Sequence, residues 1–144
     1  MTLEIKQCIA AKAVIINQNR VLILRESVKY KTGSNIGKYD FPGGKIKPGE
    51  SIKDGLIREV KEECNLDINI NEPFFVGEWR PLIKGKQLQI FGIFFKCATN
   101  NTSVILGKDH DEAIWVDLKD YNKYNLIPIN SEALSYLKKS DLNF

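Results

Sequence analysis

The segment from Gly44 to Leu66, GKIKPGESIKDGLIREVKEECNL, constrains this chain more than any other stretch. Ile52, Leu56, Val60 and Cys64 recur at four-residue steps with Ile57 beside them, which predicts a helix with one apolar face against a core. At about 100° per residue, Glu59, Glu62 and Glu63 crowd into one arc of the same helix, mostly away from the apolar face. Three carboxylates so placed repel one another. A hard divalent cation removes that conflict, and Mg²⁺ characteristically joins a few carboxylates to substrate phosphates. The helix is therefore expected to be pinned on one side and to present acid to a cleft on the other. Lys47-Pro48-Gly49 reads as a turn ahead of it, Glu50 and Ser51 suit its N-terminus, and Asn65 suits the left-handed position that ends it.

Around this helix, strand-like runs alternate with turns. Residues 9–16 and 21–24 are apolar runs joined by a hairpin turn at Asn17-Gln18-Asn19-Arg20. The polar stretch 26–39, with Gly33, Ser34, Asn35 and Gly37, reads as a loop, either a lid over a substrate or a solvated connection. Residues 73–79 and 87–98 read as strands with Lys84-Gly85-Lys86 turning between them, and 114–116 as a short strand after the acidic segment 108–112. Residues 121–124 are irregular, and 131–139 form a closing helix with Ala133, Leu134 and Leu137 inward. Strands before and after a central helix, with a second helix at the end, predict an α/β fold in which a sheet lies between helices, as one domain over 1–144.

The composition narrows the class without naming a reaction. A chain of 144 residues, 43% hydrophobic and 27% charged, suits one globular core. A net charge of +3 is too small to argue for a long nucleic acid or an anionic membrane. No apolar run approaches a membrane span, and no signal-peptide layout opens the chain. Cys8, Cys64 and Cys97 give neither a disulfide framework nor a zinc spacing; they are expected as buried thiols of a cytoplasmic protein.

The helix segment resembles the Nudix box, GX5EX7REUXEEXGU, in which U is a bulky aliphatic residue. Gly44, Glu50, Arg58, Glu59, Val60, Glu62, Glu63 and Leu66 match it, and Asn65 stands where the family carries Gly. Asn tolerates the same left-handed backbone, so the change is conservative. The resemblance implies a Nudix-type α/β/α sandwich around a central mixed β-sheet. It also implies Mg²⁺ as cofactor, with Mn²⁺ as a substitute, and hydrolysis of a phosphoanhydride in a nucleotide.

Residue by residue, the resemblance assigns Glu59 and Glu63 to the metal, with Glu62 bridging metals or orienting water. It has the Gly43 carbonyl reaching a metal, with Gly44 allowing close backbone approach. The Glu50–Arg58 ion pair is expected to orient loop and helix. A further acid comes from 108–116, where Asp109 and Glu112 are each a ligand or a base; among Glu59, Glu62 and Glu112, the base itself stays open. His110 is either a proton shuttle or, as expected, a surface loop residue without a role. Lys45 and Arg25 are placed to meet phosphates, the alternatives being a solvated lysine and a surface ion pair. Phe41 either contacts a base or belongs to the core. Asn130, in a segment that looks like the MutT-type base-reading stretch, either reads a purine or, like Ser131, caps the last helix. Trp79 is expected in the core. Pro81 lies fifteen residues beyond Leu66, where ADP-ribose-cleaving members carry proline.

The expected reaction is hydrolysis of a (deoxy)nucleoside triphosphate, 8-oxo-dGTP included, to the monophosphate and pyrophosphate. ADP-ribose or a dinucleoside polyphosphate is the alternative substrate, and a nucleotide-sensing domain without catalysis is the alternative of another class. Retention of every box glutamate counts against the sensor. The expected partner is a small nucleotide, with monomer and homodimer both open.

Overall fold

The computed structural model describes residues 4–29 and 35–137. Strand β1 (Ile5–Asn17) organises a mixed eight-stranded sheet. It runs parallel to β7 (Lys86–Ala98), antiparallel to β4 (Gly43–Lys45), and turns into β2 (Arg20–Glu26). That turn holds Gln18 and Asn19 at φ of 50° and 63°, the paired left-handed residues of a tight hairpin. β2 pairs with β3 (Tyr39–Asp40) and with β8 (His110–Asp117), while β7 pairs with β5 (Asn69–Trp79) and β6 (Leu82–Ile83).

Both faces are covered at the centre of the sheet, which is why residues 10–16, 21–24 and 94–97 read as continuous apolar runs rather than alternating ones. Successive side chains point to opposite faces. Ala11, Ala13, Ile15, Leu22, Leu24, Phe95 and Cys97 pack with α1 (Ile52–Cys64). Val14, Ile16, Val21, Ile23, Phe41 and Phe94 pack with Ala133 and Leu134 of α2 (Pro128–Ser135). The result is the expected α/β/α sandwich around a mixed sheet.

Helix α1 begins and ends where its sequence indicates. The Ser51 hydroxyl accepts from the Asp54 N–H at 3.1 Å, and Asn65 closes the helix at φ 57° with its own N–H on the Lys61 carbonyl. Leu56, Val60 and Cys64 are fully buried, whereas Ile57 is 45% exposed. The apolar face is thus narrower than expected, because one step of about 100° carries Ile57 past its edge.

Several boundaries also move. β8 starts at His110, so residues 110–112 of the expected acidic segment are strand. α2 starts at Pro128, whose fixed φ suits a first helical turn. Residues 138–139 of the expected closing helix, and 30–34 of the expected lid, lie outside the described residues. Residues 121–123 form a single 3₁₀ turn. Cys64 and Cys97 are buried, and burial pushes each thiol up to about 12, but Cys8 is only half-buried. Among the described residues, no helix is long and apolar enough to cross a membrane.

Candidate active site

The acidic arc of α1 faces the strand β4 and the loop that follows it, and two glycines set the distance between them. Gly43 adopts φ +140°, and a Cβ there would lie 2.1 Å from the Ala11 carbonyl oxygen, so only glycine fits the β1–β4 approach. At Gly44 a Cβ would lie 2.7 Å from the Glu59 carboxyl carbon, so the missing side chain is the space that Glu59 fills. The Gly43 N–H donates to Glu63 Oε2 at 3.4 Å. Glu59 and Glu63 therefore converge on one glycine pair.

Arg58 ties this face to the turn before the helix. It donates to both Glu50 oxygens, at 2.8 and 3.0 Å, a two-pronged contact that fixes plane as well as distance. It also reaches the Lys45 carbonyl at 3.3 Å, Glu59 at 3.1 Å and Glu62 at 3.4 Å. Hydrogen bonds from Arg58, then from the Lys47 N–H, hold the Glu50 carboxyl down at about 2. Glu63 goes the other way: burial first, then the charges of Glu59 and Asp40, lift it well above the usual carboxylate range despite the opposing charge of Lys12.

Beside these acids opens a cleft of about 810 Å³, of a size suited to a small-molecule ligand. Its lining includes Gly44 and Lys45 at the acidic end, and Trp79, Pro81 and Ile90 further along.

The sequence matches the NUDIX domain family over residues 6–137. The chain belongs to the Nudix family. It is 31% identical to the MutT protein of Methanosarcina mazei Go1, whose crystal structure superposes with a TM-score of 0.77 over 93% of this chain and 94% of that one. It is 30% identical over 129 residues to Nudix hydrolase 2 of Arabidopsis thaliana, covering 87% of this chain but 44% of the plant protein. The chain therefore spans less than half of that relative's length. It is also 26% identical over 106 residues to the nucleoside triphosphatase NudI of Escherichia fergusonii, covering 69% of this chain and 75% of that one.

Within this Nudix framework, the residues expected to act fall into two groups. Gly43, Gly44, Glu50, Arg58, Glu59, Glu62 and Glu63 are together, as described. Arg25 and Glu112 form a separate cluster on β2, β3 and β8. Arg25 donates to Asp111 at 2.7 Å and to Glu112 at 3.1 Å, and the Tyr39 hydroxyl donates to Glu112 at 2.7 Å. Arg25 is thus engaged by an ion pair, the alternative to a phosphate contact. The Asp109 carbonyl accepts from the Ser27 N–H at 2.9 Å, and no hydrogen bond or ion pair among the described residues joins Asp109 or Glu112 to the α1 glutamates.

Three expectations need correcting. His110 is not a surface loop residue: it opens β8, is half-buried, and burial lowers its pKa. Phe41 is 1% exposed and packs edge-on against Phe94, so its ring is core and offers no face to a base. Asn130 is not a helix cap; it lies in the first turn of α2, fully buried, and donates to Asp40 at 2.7 Å. Trp79 does pack on the core, and with Pro81 it also forms the cleft wall.

Two residues of the site were not expected at all. Lys12, only 8% exposed, donates to Asp40 at 2.9 Å. Burial alone would depress its pKa, but the charges of Asp40, Glu63 and Glu59 raise it instead. The signal was a lysine inside an otherwise apolar strand, which requires an acid opposite it.

The donor set is all oxygen, as a hard divalent cation requires. Among the described residues, no three acidic, histidine or cysteine side chains stand close enough together to hold one as they are oriented. Glu59 and Glu62 each face Arg58. The chemistry of the donors fits a cation; their present pairing is with arginine and lysine.

Proposed function

We propose that this protein is a Mg²⁺-dependent Nudix pyrophosphohydrolase acting on a (deoxy)nucleoside triphosphate, releasing the monophosphate and pyrophosphate. The observation that carries this is the convergence of Glu59 and Glu63 on Gly43 and Gly44, at the edge of a nucleotide-sized cleft. Glu59, Glu63, Glu62 and the Gly43 carbonyl would hold the cation, with Mn²⁺ able to replace Mg²⁺. Bound there, a divalent cation neutralises phosphate charge and acidifies water. Lys45, exposed at the cleft edge, offers an ammonium to a phosphate oxygen. Arg58, anchored on Glu50, keeps the acids from splaying apart. A glutamate of α1, or Glu112, accepts the proton of the attacking water, which adds across the P–O–P bond.

A triphosphate is favoured because the NudI relative is named a nucleoside triphosphatase and the M. mazei relative a MutT protein. A second reading keeps the chemistry and changes the substrate to ADP-ribose; Pro81 in the cleft wall supports it. A product assay with Mg²⁺ on nucleoside triphosphates, 8-oxo-dGTP, ADP-ribose and diadenosine polyphosphates decides, with Glu62→Gln as the blank. Pyrophosphate from a triphosphate supports the first reading, and AMP from ADP-ribose the second. Turnover by Glu62→Gln and Glu63→Gln at near wild-type rate sinks the metal assignment for both.

A further inference from the structure

The acids of α1 meet positive charge from two sides. Arg58 lies at the rim, where its main contact is the two-pronged one with Glu50. Lys12 comes from the sheet and is more enclosed: 10% of its side chain is exposed, against 23% for Arg58. Its Cα is the partner of Gly43 in the β1–β4 pairing, and the Gly43 N–H donates to Glu63. A single glycine thus links the backbone of Lys12 to the carboxylate of Glu63.

The Lys12 ammonium donates to Asp40 Oδ2 at 2.9 Å and lies 3.5 Å from the Phe41 carbonyl oxygen. A buried ion pair rarely repays its own desolvation. Lys12 has more to balance than Asp40: burial works to strip its proton, and the charges of Asp40, Glu63 and Glu59 keep it on. For Glu63, burial is the largest influence and Lys12 the next, ahead of Glu59 and Asp40. The ammonium therefore acts on Glu63 more strongly than its own partner Asp40 does. Felt from α1, the Lys12–Asp40 pair is a net positive charge.

We infer that Lys12 is a built-in counter-cation of the α1 acids, one that weakens their hold on a divalent cation. This rests on the assignment of Glu59, Glu62 and Glu63 to a cation under the proposed function. The direction follows from the charges. In the free protein Lys12 is attracted by the whole negative charge of the cluster; once a divalent cation has cancelled much of that charge, the attraction falls. Binding must give up the difference. Lys12 cannot swing away to avoid this, because it is enclosed and tied to Asp40, and a buried charge is little screened by salt. It acts through the acids, steadying them before the cation arrives and easing the cation's release.

Mn²⁺ binding to the substrate-free protein, followed by the electron paramagnetic resonance signal of free Mn²⁺, tests this without any turnover. Lys12→Met keeps the length of the side chain and removes its charge. It should bind Mn²⁺ at least about tenfold tighter than wild type. A lysine with only a structural role would give the opposite result, since breaking a buried pair disturbs the site and weakens binding. Lys12→Met/Asp40→Asn leaves no unpaired carboxylate and should also bind more tightly than wild type, by a smaller factor. At one Mn²⁺ concentration, the rise in Tm over EDTA should be larger in both variants than in wild type. A folded Lys12→Met with equal or weaker Mn²⁺ affinity overturns the inference. Tightening confined to the single variant also overturns it, because Asp40 itself then holds the ion. Where Lys12→Met does not fold, the double variant decides by the same criterion. Glu63→Gln separates this inference from the reading beneath it. If Glu63→Gln binds Mn²⁺ as wild type does, the metal assignment falls and the role of Lys12 with it. If Glu63→Gln loses the ion while the Lys12 variants fail to tighten, the metal assignment stands and only the role of Lys12 falls.

Discussion

Gly44→Ala tests the active-site geometry without touching a carboxylate. Gly44 does not use the left-handed backbone region, so alanine brings no φ strain. What it brings is a methyl group 2.7 to 2.9 Å from the three carboxyl atoms of Glu59. Glu59 must leave its rotamer, at about 0.5–1.5 kcal/mol, and give up its 3.1 Å contact with Arg58, a partly exposed pair worth up to about 1 kcal/mol. A loss of about 1–2 kcal/mol lowers Tm by about 3–6 °C in a chain of this size.

Activity should suffer far more, because a misplacement of about 1 Å in a positioning group costs on the order of 100-fold. Gly49→Ala is the control. Gly49 sits at φ +83° with nothing within 4 Å of a built Cβ, so alanine there costs only backbone strain of about 1–2 kcal/mol. The two variants should therefore melt within a few degrees of each other. Only Gly44→Ala should lose about 100-fold in kcat/KM and need more Mg²⁺ for half-maximal rate. The assays are thermal melts by circular dichroism and pyrophosphate release across a Mg²⁺ titration. Gly44→Ala with near wild-type kcat/KM and an unshifted Mg²⁺ requirement would refute the cradle and, with it, the role given to Glu59.

Three further outcomes follow from the charges and the cap. Glu63 is raised in the fold above the 4.5 of a free glutamate, so its contribution favours the fold below that pH and is lost as pH rises toward the folded value. Glu63→Gln should abolish turnover yet, with EDTA at pH 8, melt no lower than wild type; a clear drop in Tm refutes this account of its environment. Glu50 shifts oppositely, from 4.5 to about 2, so its contribution is complete above 4.5 and disappears as pH falls toward 2. The Tm difference between wild type and Glu50→Gln should shrink over that window, and a constant difference counts against the Arg58 pairing. Ser51→Ala removes the cap of α1 and should cost about 1 kcal/mol, seen as a lower Tm with unchanged kcat and KM.

The acidic half of the candidate site was legible because it is local. Cap, acidic arc, apolar stripe and left-handed stop all lie within one helix and its flanks, where fixed spacing translates directly into position. The central strands of the sheet were legible for a related reason: residues 10–16 of β1, 21–24 of β2 and 94–97 of β7 are buried on both faces, and unbroken apolar runs announce that. Their partners were not, since no local pattern says that β1 runs parallel to β7 or that β8 begins at His110.

The residues expected to meet the substrate were harder to place, because packing decides where they face. Phe41 and Asn130 have the chemistry to meet a base, but the fold uses the Phe41 ring as core and binds the Asn130 amino group to Asp40, 90 residues away. Lys12 and Asp40, separated by 28 residues, were the complementary omission. Even so, the sequence carried half of that information. A lysine between Ala11 and Ala13 in an apolar strand either flips out, which strand alternation between two covered faces forbids, or finds an acid. Its identity as Asp40 depends on β3 pairing with β2 and on β4 folding back beside β1, an approach that Gly43 permits because it has no side chain. The glycine that donates to Glu63 of α1 thus also helps bring Asp40 to Lys12, on the wall of the same cleft.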